Sequence, residues 1–335
     1  MAQSSPARVK VESINQIGMV VWDLEQVAQN FWNILGIGPW EIYNWEPPLV
    51  YDRKYCGKPG WARERIALVK VGGVQLELVQ PVEGDSIYRD FLLEHGEGLH
   101  HMNFLVDDVD ETAATLTRQG FPSIQNGYYG YGKQKSGFSY HPIKPLRTIF
   151  EPVHVGGPKG VEPVWLPDAT QPSPAKVKVE RINQIGMVVW DLEVVAQNFW
   201  NILGIGPWEV YNWEPPLVHD RKYCGKPGWA RERIALVKVG GVQLELVQPV
   251  EGDSIYRDFL LEHGEGLHHM NFLVDDVDET AATLTRQGFP SIQNGYYGYG
   301  KQKSGFSYHP IKPLCTIFEP VHIGGPKGVE PLWIP

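Results

Sequence analysis

The chain has 335 residues, with 30 Lys and Arg against 39 Asp and Glu and a formal charge of −9. Without a basic run it offers no footprint to nucleic acid or to an anionic membrane surface, so a small molecule is the expected partner. No apolar run approaches the roughly 20 residues that span a bilayer, the opening "MAQSSPARVK" has no hydrophobic signal core, and Cys56, Cys224 and Cys315 form no disulfide framework, so a cytoplasmic protein is expected.

Residues 8–167 return as residues 176–335 at a constant offset of 168, with nine differences in 160 positions and no gap. The chain is therefore a tandem duplication. Between the copies "DATQPSPA", residues 168–175, is polar and proline-rich and reads as a linker. Each copy has the length of a domain that buries its own core. Two folded lobes are expected, a pseudo-dimer within one chain that is compatible with further homo-oligomerisation.

In chain order, "INQIGMVV" (14–21) is β-branched and apolar enough for a strand. A helix follows from the N-cap Asp23, with Leu24, Val27, Ala28, Phe31 and Leu35 at helical spacing and Gly36 closing it. "PWEIYNW" predicts a less regular strand, and "ERIALVKV" (64–71) and "VQLELVQPV" (74–82) predict a hairpin around Gly72-Gly73. After a short helix at "SIYRDFLLEHG" the same order begins again: strand "GLHHMNFLV", a helix from Asp108 or Asp110 to Gly120, then strands near 123–129, 137–141 and 147–153. Each copy thus holds two βαβββ units.

Paired βαβββ units that open on "IGMVVWDL" and "LHHMNFLVDDVD" resemble the vicinal oxygen chelate superfamily, the group of glyoxalase I and methylmalonyl-CoA epimerase, over both copies almost end to end. "FWNILGIGPW" and "LLEHGEGLHHMNFLVDD" resemble the epimerase-like branch more closely. The resemblance implies an α+β fold in which paired βαβββ units form open cup-shaped sheets, four units in two near-identical domains. It also implies a divalent metal in each cup.

Side chains alternate between the faces of a strand, so only one of His100 and His101 is expected to face inward. Matching to the family pattern, whose histidine immediately precedes "IGI", selects His101 before "MNF". The same matching puts the other ligands on Gln16 before "IGM", Glu77 in "LELV" and Glu151 in "IFEP", and in the second copy on Gln184, Glu245, His269 and Glu319. This set resembles that of eukaryotic glyoxalase I, whereas methylmalonyl-CoA epimerases usually carry histidine at the first position. Three oxygens and one imidazole suit a fairly hard ion, Zn, Co, Ni, Mn or Mg, about one per domain.

Such a site chelates two adjacent substrate oxygens and eases removal of a proton next to a carbonyl. The resemblance therefore implies a metal-dependent isomerase, epimerase or lyase. Glu151 and Glu319 are the expected bases, with Glu77 and Glu245 as ligands that share the work. Ring-cleaving iron dioxygenases of the superfamily usually need two histidines and a carboxylate, and each set here holds one histidine. The alternative is a metal-free, ligand-sequestering module of the bleomycin-resistance type. The Trp- and Tyr-rich loops suit it, but paired carboxylates inside an apolar cup do not.

Trp40, Tyr129 and Tyr140 stand in Gly- and Pro-punctuated segments, where aromatic residues line a ligand cup or cover the core edge. Within "NGYYGYGKQKSGFSYHP" (126–142), Lys133 and Lys135 are candidates, with Arg147, for meeting an anionic tail. Five differences between the copies are conservative: Arg8/Lys176, Ile42/Val210, Val155/Ile323, Val164/Leu332 and Leu166/Ile334. Ser13/Arg181 at a strand edge and Gln26/Val194 on the first helix suggest surface or packing roles. Tyr51/His219 lies in an expected loop at the cup mouth, where it would tune ligand shape or face solvent. Arg147/Cys315 stands four positions before the last glutamate, so it is expected to look into the cup and make the two copies differ in affinity or turnover, unless an early strand end carries it to solvent.

Overall fold

A computed structural model describes residues 5–130, 136–153, 161–167, 172–298, 304–321 and 330–335. Ala7–Pro174 form one compact unit, and Ala175–Pro335 with Ser5 and Pro6 form the other. The first lobe runs β1 (Ser13–Val20), α1 (Leu24–Leu35), β2 (Trp40–Trp45), β3 (Val50–Tyr55), β4 (Lys58–Pro59), β5 (Ala62–Val71) and β6 (Val74–Gly84). It continues with α2 (Ile87–His95), β7 (Gly98–Leu105), α3 (Val109–Arg118), β8 (Gln125–Tyr129), β9 (Ser136–Ile143), β10 (Thr148–Val153) and β11 (Val164–Leu166). The second lobe repeats these elements.

Each lobe is an 11-stranded sheet, ordered β11-β2-β5-β6-β1-β7-β10-β9-β8-β3-β4 in the first. β1 pairs parallel with β6, β7 pairs parallel with β10, and β1 and β7 run antiparallel between them. The first and last strands of both βαβββ units are therefore neighbours at the centre of the sheet. To this expected order the structure adds the β3–β4 ribbon, which pairs with β8 of the other unit, and β11, which extends the edge at β2. Both additions rest on pairings distant in sequence, which no local pattern announces.

The helices start where their caps are. Asp23 Oδ1 accepts from Gln26 N at 3.0 Å, and Gly36, at φ 70, returns its N–H to the carbonyls of Phe31 and Trp32. Asp108, rather than Asp110, caps α3. In the central strands Ile17, Met19, Leu76, Leu78, Met102, Phe104 and Phe150 are fully buried and alternate with the polar residues of the opposite face. Phe104 and Phe150 stack at 4.5 Å. No helix among the described residues is long and apolar enough to cross a membrane.

Ser173 Oγ donates to the Trp32 carbonyl at the end of α1 (2.6 Å), and Ser5 Oγ donates to the Trp200 carbonyl at the corresponding helix end of the other unit (2.6 Å). The added β3 is anchored by a buried ion pair: Arg53 reaches Glu64 on β5 through two hydrogen bonds of 2.7 and 2.5 Å. Removing one member leaves an uncompensated buried charge. Arg53→Ala is expected to cost the first lobe about 3–5 kcal/mol, seen in calorimetry as a low-temperature shoulder that Arg221→Ala reproduces in the second lobe.

Candidate metal centre

Backbone register lays two rows of residues across the centre of the first sheet. One row is Gln75, Gln16, Asn103 and Glu151; the next is Glu77, Gly18, His101 and Ile149. Polar side chains from four strands thus meet on the concave face. The second lobe has Gln243, Gln184, Asn271 and Glu319 above Glu245, Gly186, His269 and Ile317. All four residues expected in each set are brought together, and all are buried.

Gly18 sets the geometry. A Cβ there would lie 1.9 Å from His101 Cε1, so the imidazole lies directly over the glycine and leans toward β6. His101 Nε2 thereby comes within 3.2 Å of Glu77 Oε2 and 3.3 Å of Glu151 Oε2. His269 Nε2 is 3.2 Å from Glu245 and 3.4 Å from Glu319.

The pattern of alternation is broken by bulges at two places, and both matter. Between Gly18 and Met19 the register with β7 slips past His100, which turns its ring beneath α2, against Phe91 and Tyr88, while its Nδ1 stays 2.9 Å from His101 Nδ1. Burial, reinforced by the charge of His101, holds the His100 pKa well below 6.5. Neutral His100 therefore accepts from His101 Nδ1–H, which leaves His101 Nε2 to face the carboxylates. The second bulge, between Ile14 and Gln16, lets Asn15 and Gln16 both line the cup.

Asn103 is a member of the site that the strand pattern announces through its spacing of two from His101. Its Nδ2 donates to Gln16 Oε1 at 3.0 Å and to Glu151 Oε2 at 3.1 Å. Gln16 Nε2 donates in turn to Gln75 Oε1 at 2.9 Å. The amides thus fix both the Gln16 oxygen and the Glu151 carboxylate.

Burial pushes the Glu77 pKa up, against the pull of His101. For His101, burial works downward, but its contacts with Glu151 and Glu77 and their charges prevail and lift it to about 9. In the metal-free protein a proton on His101 therefore supplies the one positive charge among two buried carboxylates.

As they stand, no three His, Cys, Asp or Glu side chains among the described residues form a closed metal-binding group. The donors nonetheless fit a divalent ion on three counts. His101 Nε2 and Glu77 Oε2, like His269 Nε2 and Glu245 Oε2, are buried with no hydrogen-bond partner in spite of their proximity. Ligand atoms about 2.1 Å from one ion stand roughly 3.0–3.4 Å apart, the spacing seen around Nε2. Two carboxylates with neutral donors carry the charge that a dication neutralises.

The cup around the first set is walled by Trp45, Ile66, Leu68, Tyr88, Tyr129, Phe138, Tyr140 and Val153. Trp45 and Tyr129 meet at 4.7 Å between ring centroids, and Tyr88 donates to the Tyr140 hydroxyl at 2.5 Å. Tyr129 and Tyr140 thus line the cup as expected, and three other expected residues do not. Trp40 is fully buried beneath α1, with Nε1 donating to the Ile37 carbonyl at 3.1 Å and its ring 5.5 Å from Phe31. Tyr51 stands on β3 rather than in a loop; Val50 takes the buried side, and Tyr51 stacks on Tyr128 at 6.0 Å, as His219 does on Tyr296.

Arg147 does not share a face with Glu151. The turn Lys144–Leu146 interrupts the strand, Arg147 follows it in the left-handed region (φ 56) and is exposed, and β10 begins only at Thr148. Cys315 holds the same position at φ 55. Neither lines its cup. Lys133 and Lys135 lie outside the described residues.

The sequence pattern of the Glyoxalase/Bleomycin resistance protein/Dioxygenase superfamily matches residues 15–140 and again residues 183–308. The chain belongs to this superfamily. The uncharacterized protein YqjC of Bacillus subtilis (strain 168) is 28% identical over 151 residues, which is 45% of this chain and 95% of that protein. Among solved structures, a mutant of 4-hydroxymandelate synthase from Streptomyces coelicolor has a TM-score of 0.64 at 16% identity, over 96% of this chain and 95% of that one. A xylose isomerase-like TIM barrel/4-hydroxyphenylpyruvate dioxygenase fusion protein has a TM-score of 0.55 at 14% identity, over 97% of this chain and 52% of the fusion. At these identities the two structures establish the glyoxalase/dioxygenase fold alone.

The raised His101 pKa has a sign that can be measured. A group whose folded pKa of about 9 exceeds its ordinary 6.5 contributes stability below pH 6.5 and loses it as pH rises through 9. The melting temperature of chelator-treated protein is therefore expected to fall between pH 6.5 and 9. Glu77→Gln/Glu245→Gln should flatten that slope, and an unchanged slope in the variant would refute the assignment.

Proposed function

We propose that each lobe, residues 8–167 and 176–335, is a metal-dependent isomerase, epimerase or lyase that removes a proton next to a carbonyl of a small organic substrate. Gln16, Glu77, His101 and Glu151 hold the ion in the first lobe; Gln184, Glu245, His269 and Glu319 hold it in the second. The observation that supports this most directly is the buried imidazole nitrogen, unpartnered and facing two buried carboxylates, in both lobes. When bound, Zn, Co, Ni, Mn or Mg supplies the charge that stabilises an enolate or enediolate oxygen.

The protein side chains do the rest. Glu151 takes the proton from carbon, held in line by Asn103, and Glu77 on β6, across β1 and β7, offers a second carboxylate for its return to another face or atom. Tyr140 and Tyr88 are kept protonated by burial, which raises both hydroxyls well above 10, and Tyr140, which accepts from Tyr88, keeps its own proton to donate to a substrate oxygen. Trp45, Tyr129 and Phe138 exclude water from the reacting atoms.

Each cup receives a single imidazole, because His100 is turned away beneath α2. This supports proton abstraction over ring cleavage at an iron held by two histidines. Exposed free thiols at Cys56 and Cys224 suit the cytoplasm.

Elemental analysis of protein reconstituted with each of the five ions should give about two ions per chain, one for each set of ligands. Glu151→Gln/Glu319→Gln should remain folded by circular dichroism, lose the ions and lose about 10²-fold or more in turnover of an α-hydroxy ketone or thiohemiacetal. Gly18→Ala, which drives a methyl group into the His101 ring, should halve the metal content. Absence of stoichiometric metal under every condition would refute the proposal and favour a ligand-sequestering protein.

A further inference from the structure

Eight of the nine differences between the lobes fall on described residues, and of these sixteen positions only Arg181, the counterpart of Ser13, lies on a cup lining. Arg181 opens the second lobe's first strand, Arg181–Val188, whose register with the strand Gly266–Leu273 slips between Ile182 and Gln184. That bulge changes which side chains share a face. As a result Arg181, Asn183 and Gln184 all line the same cavity, together with Lys238.

The cavity extends past these two cations to the Gly240-Gly241 turn and measures about 380 Å³, against about 80 Å³ for the first cup, whose lining includes neither Ser13 nor Lys70. Arg181 is exposed, and among the described residues no carboxylate pairs with it. It stands three residues from Gln184, roughly 10 Å along a strand. That distance leaves room for one aromatic or short aliphatic spacer between metal-chelated oxygens and a terminal anionic group.

Resting on the metal-centred function above, we propose that Arg181 makes the second cup selective for a substrate with a carboxylate at the end opposite its chelating oxygens, while the first cup takes the neutral counterpart. Lys238 is common to both lobes as Lys70, so it does not set the difference. The guanidinium acts as a specificity-determining group at the mouth, remote from the reacting carbon. An exposed arginine discriminates modestly, about three- to tenfold in affinity.

The test uses the full chain reconstituted with Zn and two chelating probes, neutral benzohydroxamate and 4-carboxybenzohydroxamate, titrated by calorimetry. The neutral probe should find two equal sites in the natural protein, in Arg181→Ser and in Ser13→Arg. The carboxylated probe should find one tighter and one weaker site in the natural protein, two weak sites in Arg181→Ser and two tight sites in Ser13→Arg. Arg181→Lys should retain most of the preference, and the preference should shrink in about 0.5 M salt, as a charge effect does and a change of shape does not. Equal binding of the carboxylated probe to both lobes, or an unchanged profile in Arg181→Ser, would overturn the inference while leaving the metal-centred function intact. Failure of the neutral probe to bind either lobe would overturn both.

Discussion

Two carboxylates cannot be buried side by side without a positive charge to hold them there. Glu77 and Glu151 come from the two halves of one sheet, on strands separated by β1 and β7, and both close on one imidazole. The surrounding structure serves that convergence. The parallel pairs β1–β6 and β7–β10 bring the four strands together, Gly18 gives the ring a place to lie, and Asn103 and Gln75 tie the remaining polar atoms into a network. A proton on His101 satisfies the charge requirement, and on the proposed function a dication would satisfy it more fully. Protons and metal ions would then compete for one position, which would couple metal affinity to pH.

Much of this was legible in the sequence, the four candidate ligands through their match to the family pattern and the apolar faces around them through a period of two. Gln16, Glu77, His101 and Glu151 alternate with fully buried apolar residues, and the caps Asp23 and Gly36 stand where the first helix begins and ends. The departures have specific local causes. A proline-containing turn ends the alternation just before Arg147, so counting back from Glu151 carries no information about its direction. Bulges at Asn15 and His100 each add one residue to a strand, and no composition signal marks them. The β3–β4 ribbon depends on pairing with β8, some 70 residues away in sequence, and Trp40 turns inward because a helix covers it.

The same bulge explains why the lobes differ where they do. With strict alternation Arg181 would face away from Gln184, and the change from serine would concern only the sheet's outer surface. With one added residue it lines the same cavity as Gln184. On the proposed function, the duplication has kept its candidate metal ligands identical and varied a position at the cup lining, as expected when binding and catalysis occupy different depths of one cavity. The other described differences fall ahead of β1 at Arg8, on α1 at Gln26, on β2 at Ile42, on the β3 stack, after the turn at Arg147 and along β11.

Ser5 and Ser173 precede their copies in identical "SPA" segments, yet each finishes a helix of the unit built from the other copy. The compact unit built from the second copy is therefore discontinuous in sequence, because Ser5 and Pro6 belong to it, whereas Ser173 is continuous with the unit it closes. The second unit thus draws one of its helix-end contacts from the far end of the chain, through an effective concentration set by the intervening tether. The helix ends then remain closed however dilute the protein becomes.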